Sequence, residues 1–121
     1  MNTATEHYVA DVKDIPEGER LIVKVKGREI GIFNIKGEYY ALRNICFHQS
    51  GPLCEGYIDG TFVARPENNW KREWAYEDEI LRCPWHYMEF NIKTGQCLPF
   101  PNRRVRTYET KVKEEQLFLF L

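Results

Sequence analysis

Short apolar runs separated by turn signals make up most of the chain, and a helical period is almost absent. The segments HYVADV (7–12), RLIVKV (20–25), EIGIFNI (29–35) and EYYALRN (38–44) are rich in β-branched and aromatic residues with partial period-two alternation. IPEGE, KGR and KGE between them carry the glycines and the proline that reverse a chain. After an expected turn at Asp59-Gly60 come TFVAR (61–65), EILRC (79–83) and FNI (90–92), the last leading into a Thr94-Gly95 turn. VRTYETKV and QLFLFL close the chain as a hairpin. Only NNWKREWAYEDE (68–79) gives a weak helical hint. The pattern predicts an all-β domain, a small antiparallel β-sandwich or open barrel, with two loops left over to carry chemistry. The Tyr and Phe residues at strand positions read as core and cross-strand packing.

Composition narrows the function. A chain of 121 residues suits one domain, residues 1–121. The net charge of −1 makes neither nucleic acid nor an anionic membrane a default partner. The first residues hold no basic region followed by an apolar run, and nowhere do about 18 apolar residues stand together. The expected location is therefore cytoplasmic. In that setting four cysteines favour metal ligation over a disulfide framework.

The candidate ligands are Cys46 and His48 in CFH, and Cys83 and His86 in CPWH. Of only three histidines, two follow a cysteine by two or three positions. Either spacing would arise by accident about one time in ten, and both together about one in a hundred. Zinc knuckles usually pair like ligands locally, Cys with Cys and His with His. One thiolate and one imidazole per loop instead suit a dinuclear iron centre, each loop giving its cysteine to one iron and its histidine to the other. A structural zinc module stays open as the other reading.

CFHQSGPLCEGYIDG followed by ILRCPWHYMEFNIKTGQ resembles the Rieske iron-sulfur family, its ferredoxin-type members in particular, over about residues 44–98. The resemblance implies a cluster-binding subdomain over that range holding one 2Fe-2S cluster. Cys46 and Cys83 would ligate the inner iron, and His48 and His86 the outer one. It implies that Gly51 and Gly56 let backbone N–H groups approach the sulfurs. LPFP, with Pro99 and Pro101, is similar to the family's third loop over the cluster; a stiff link into the closing hairpin is the other reading. The implied function is that of a one-electron carrier between a reductase and a terminal oxygenase or similar redox enzyme. A small electron-transfer subunit of a nitrite-reductase-type complex is the alternative. A self-contained oxygenase is set aside, because a mononuclear iron site needs two more histidines and only His7 remains.

Departures from the family pattern are informative as well. The 34 residues between His48 and Cys83 exceed the usual separation, which implies an extended hairpin at about 66–79, pointing away from the cluster. Its Trp70, Trp74 and Tyr76 are expected to pack onto the domain rather than to form a partner surface. Tyr87 stands where the family commonly has glycine. Gly51 and Trp85 occupy the positions of a disulfide found in some members, so Cys54 and Cys97 are expected to be reduced, half-buried packing residues. Met88 and Phe90 replace a serine and a tyrosine whose hydroxyls bond the cluster sulfurs, which implies a potential of roughly −150 mV, at the low end of the range. His7 is expected to lie on the surface without a role.

Overall fold

A computed structural model describes residues 5–45, 51–64, 66–84 and 88–121 of the chain. Its strands form three antiparallel sheets. The first joins β1 (Glu6–Asp11), β10 (Gln116–Phe120) and β9 (Thr110–Lys113). The second runs β2 (Arg20–Val25), β3 (Arg28–Ile35), β4 (Glu38–Arg43) and β8 (Thr107–Tyr108). The third contains β5 (Tyr57–Ala64), β6 (Arg72–Arg82) and β7 (Glu89–Asn91). The all-β reading holds.

The second sheet is the middle layer. Along β3, Ile30 and Ile32 enter one apolar cluster with Ala10, Leu117 and Leu119 of the first sheet. Phe33 and Ile35, one residue out of phase, enter another with Leu81 and Phe90 of the third sheet. Successive strand residues face opposite sides, and here both sides are buried. For this reason EIGIFNI reads as a nearly continuous apolar run. Its one amide, Asn34, is buried but satisfied: Nδ2 donates to Ile15 O at 2.8 Å and Oδ1 accepts from Gly37 N–H at 2.9 Å. The expected KGR and KGE turns are two-residue reversals with positive φ at Lys26-Gly27 and Lys36-Gly37, a geometry that matches the twist of paired strands. The closing hairpin turns the same way at Glu114-Glu115, whereas Thr107 and Tyr108 pair with β4 instead.

Two local expectations are corrected. The weak helical hint over 68–79 is not realised: after a single 3-10 turn at Pro66–Asn68, β6 covers Arg72–Arg82 and pairs with β5 from Tyr57↔Arg82 to Ala64↔Arg72. Asp59-Gly60 is not a turn either, because both residues lie inside β5. The register moves from Asp59↔Ile80 to Thr61↔Ala75, so Tyr76–Glu79 bulge opposite Gly60. A side chain on Gly60 would come within 2.8 Å of Ala75 O and of the Trp74 ring. Glycine is needed there for close approach, not for reversal.

The expectation that the hairpin aromatics pack onto the domain is also corrected. Trp70 is 65% exposed and Phe62 53%; Trp74 and Tyr76 are exposed too. β7 pairs with β6 only at Ile80–Arg82, so the outer half of the hairpin has two strands and no covering layer among the described residues. Phe62 and Trp74 instead pack edge to face at 5.0 Å between centroids, with the Arg72 guanidinium 4.8 Å from the Phe62 ring. Seven strand steps separate Tyr57, beside Cys83, from Ala64 at the outer end, roughly 23 Å. The outer end of the hairpin thus lies away from the Cys83 end of β6.

Candidate metal centre

Of the four expected ligands, Cys83 is described; Cys46, His48 and His86 lie outside the described residues, as do Trp85 and Tyr87. Cys83 follows the last residue of β6 and is fully buried among Leu53, Cys54, Leu81, Phe90 and Cys97. Its backbone N–H donates to Met88 O at 2.9 Å. The loop that starts with Pro84 therefore leaves and returns at one point. Met88 packs half-buried against the same cluster and Phe90 is buried within it.

The segment bearing Cys46 starts at the end of β4 and returns through a 3-10 turn at Leu53–Glu55. Asn44 ties departure to return: its Oδ1 accepts the Cys54 N–H at 2.7 Å. Asn44 is itself oriented by Glu29, donating Nδ2 to Oε1 at 3.1 Å and its backbone N–H to Glu29 O at 2.9 Å. From β2, Arg20 Nη1 donates to Cys54 O at 2.8 Å and to Gly56 O at 2.6 Å. Gly56 then meets the stem of the Cys83 loop, so closely that a side chain on it would overlap the Arg82 carbonyl. Its N–H is engaged by Leu53 O at 3.0 Å. This corrects its expected role: the glycine gives room for the two stems to touch, and its N–H is committed locally. Gly51 is buried, and its carbonyl accepts the Leu53 N–H.

Arg82, the residue before Cys83, braces the second stem. Its guanidinium reaches Asp59 and Glu89 at 3.1 Å each and Gly60 O at 3.0 Å. The Gly60 N–H and then Arg82 hold the Asp59 carboxyl below its ordinary pKa. Residues 96–98 run beside β7, Leu98 N–H donating to Glu89 O at 2.9 Å. The LPFP segment then closes on itself, Cys97 N–H bonding Arg103 O and Arg103 N–H bonding Phe100 O. That is a loop standing beside the Cys83 stem rather than a straight link.

Cys54, Cys83 and Cys97 are free thiols. Cys54 and Cys97 are fully buried, not half-buried as the sequence suggested. Burial pushes the Cys54 thiol up to about 12, and its Sγ donates to Leu42 O at 3.4 Å. Burial raises the Cys97 thiol as well. His7 departs from the surface reading: it is half-buried on β1, with Nε2 shielded from solvent. Asn44, Arg20 and Arg82 escaped the sequence reading. Arg20 acts on a peptide 34 positions away, and no local pattern signals that.

Among the described residues no three His, Cys, Asp or Glu side chains group as a metal site. A free thiol, enclosed by apolar side chains and held by its backbone where two loop stems touch, suits a soft iron-sulfur centre.

Similar proteins extend along nearly the whole chain. The ferredoxin component of naphthalene 1,2-dioxygenase/salicylate 5-hydroxylase systems from Ralstonia sp is 32% identical over 118 residues, 95% of this chain and 96% of that one. The 3-phenylpropionate/cinnamic acid dioxygenase ferredoxin subunit of Escherichia coli (strain K12) is 30% identical over 115 residues, 94% and 92% of the two chains. Among solved structures, the reduced complex between oxygenase and ferredoxin in carbazole 1,9a-dioxygenase matches with a TM-score of 0.74 at 18% identity, over 96% of this chain and 28% of the matched one. The terminal oxygenase of carbazole 1,9a-dioxygenase from Novosphingobium sp. KA1 matches at 0.75 and 14% identity, over 96% and 29%. These two share the fold. The family described as Rieske [2Fe-2S] domain matches residues 5–109, and with that match over most of its length the chain belongs to this family.

Proposed function

We propose that this chain is a one-electron carrier, the ferredoxin component that takes electrons from a reductase and delivers them to a terminal oxygenase or similar redox enzyme. The observation that carries the reading is its match, end to end, to relatives named as ferredoxin components of dioxygenase systems. Its cofactor is a Rieske-type 2Fe-2S cluster, which supplies reversible one-electron exchange when bound. Cys46 and His48 on the first loop and Cys83 and His86 on the second would hold it, the cysteines on the inner iron and the histidines on the outer. The burial of Cys83 keeps water from that thiol, and the braced stems fix where the two ligand loops begin and end. The chain would act as a single unit over 1–121, with no catalytic site of its own, in the cytoplasm, and neither nucleic acid nor a membrane would be a partner. No helix among the described residues is long and apolar enough to cross a membrane.

Anaerobically purified protein should contain iron and sulfide, be reduced by a dioxygenase-system reductase, and be reoxidised by the terminal oxygenase in stopped-flow mixing. With Met88 and Phe90 offering no hydroxyl to the sulfurs, its midpoint should fall near the low end of the Rieske range, about −150 mV. Cys83→Ser and His86→Ala should lose or convert the cluster, while Cys54→Ser and Cys97→Ser should keep its colour. A normal cluster in Cys83→Ser, or zinc in place of iron in the wild type, would overturn the assignment.

A further inference from the structure

Three hydrogen bonds hold Cys54, none of them to a candidate metal ligand. Its N–H goes to Asn44, its carbonyl to Arg20 and its thiol to Leu42 O. Its side chain fills the space that the missing side chain of Gly31 leaves on β3. Asn44 lies two positions before Cys46, and Gly56, the other acceptor of Arg20, abuts the Arg82 carbonyl next to Cys83. The first ligand loop is thus tied at both ends to the sheet beneath it, and one of the ties touches the stem of the second.

We propose that Asn44 and Arg20 are positioning residues for the metal centre: a non-covalent clasp on the Cys54 peptide that fixes the separation of the two ligand loops and, through the Arg20 cation, favours the reduced state. The inference rests on the electron-carrier reading above. Asn44 is 5% exposed, and Glu29 orients it, so its acceptor is already aimed when the loop closes and little ordering is left to pay for on cluster binding. Arg20 is half-buried and bonded to two carbonyls. Its charge is therefore screened less than that of an exposed arginine. Reduction adds a negative charge to the centre, so a fixed cation one contact away from the Cys83 stem stabilises the reduced form. Removing it disfavours reduction.

The experiment uses the full chain loaded with its cluster, reading midpoint potential, the electron-spin spectrum of the reduced form and the half-life of the visible absorbance in air. Arg20→Gln should lower the reduced-to-oxidised ratio at fixed potential by about tenfold, a fall of about 59 mV for a one-electron couple. Arg20→Lys keeps the charge and should recover most of that loss. Asn44→Ala should shift the g-values and shorten the cluster half-life severalfold. Asn34→Ala is the control, since Asn34 is an equally buried amide bonded to Ile15 O and Gly37 N–H. It should lose comparable stability and leave potential and spectrum unchanged. Where Asn44→Ala fails to fold, Arg20→Gln and Arg20→Lys carry the test alone. Wild-type potential and spectrum in both Asn44→Ala and Arg20→Gln, or an Asn34→Ala shift as large as theirs, would sink the proposal. A wild-type protein without iron and sulfide would instead sink the electron-carrier reading.

Discussion

Gly31 illustrates how one missing side chain supports the candidate centre. A methyl group there would overlap the Cβ and Sγ of Cys54, and β3 is too tightly sandwiched to move aside. Gly31→Ala should therefore destabilise the fold by about 1–3 kcal/mol, the usual result of overpacking a core, seen as a lower urea midpoint. The same change should expose a thiol that is otherwise inert. Cys54 is fully buried, with its pKa raised to about 12, so native protein at pH 8 should not be alkylated at this position. Mass spectrometry after brief iodoacetamide treatment should find Cys54 modified in the variant and in unfolded protein only. Modification of the native wild type would contradict the burial. The sequence reading made Cys54 a reduced, half-buried packing residue; its full enclosure was not legible there. What encloses it comes from β2, β3 and β4, and no window around residue 54 contains them.

Among the elements, the β5–β6 hairpin holds the residues that differ most from their sequence reading, its exposed aromatics Trp70, Trp74 and Tyr76. The charges and aromatics of residues 68–79 allowed a helix, but β6 finds its hydrogen-bond partners along β5, and pairing outweighs weak local propensity. The bulge at Tyr76–Glu79 takes up the extra residues, with positive φ at Tyr76 and Asp78, so the added length does not disturb the register next to Cys83. Trp74 is half-exposed and gains from its Phe62 contact. Trp74→Ala should therefore cost only about 0.5–1.5 kcal/mol in urea unfolding and leave the cluster absorbance and potential untouched, because it sits on the outer half of the hairpin. A changed potential would show that the hairpin communicates with the centre. The shorter strands were legible, β2 to the residue, because their alternation and turn glycines agree with the pairing.

In the whole molecule, charge works locally rather than through the net value of −1. Asp59 has a carboxyl pKa lowered by the Gly60 N–H and Arg82. A carboxyl depressed in the folded state contributes stability that is complete above the unfolded value, about 4, and is lost as pH falls through the folded value. Asp59→Asn should thus be less stable than wild type at pH 7, and the difference should shrink as the pH is lowered below 4. Urea titrations at pH 7 and pH 3 check this, and a constant difference would remove Asp59 from the acid response. Because Arg82 precedes Cys83 and also binds Glu89, the same ion pairs hold the stem of the second loop.

By itself the sequence determined the all-β class and, through CFH and CPWH, the family. Turn residues and ligand spacing act within a few covalent bonds, so they survive in a linear string. Only the tertiary structure decided that Cys54 and Cys97 are sealed in the core, that Gly60 admits a neighbouring strand instead of turning the chain, and that the hairpin aromatics face solvent. It alone joined Arg20 to the Cys54 peptide. Burial and long-range hydrogen bonds depend on which sheets stack against each other, and that is settled by the sum of many weak contacts among residues far apart in the chain.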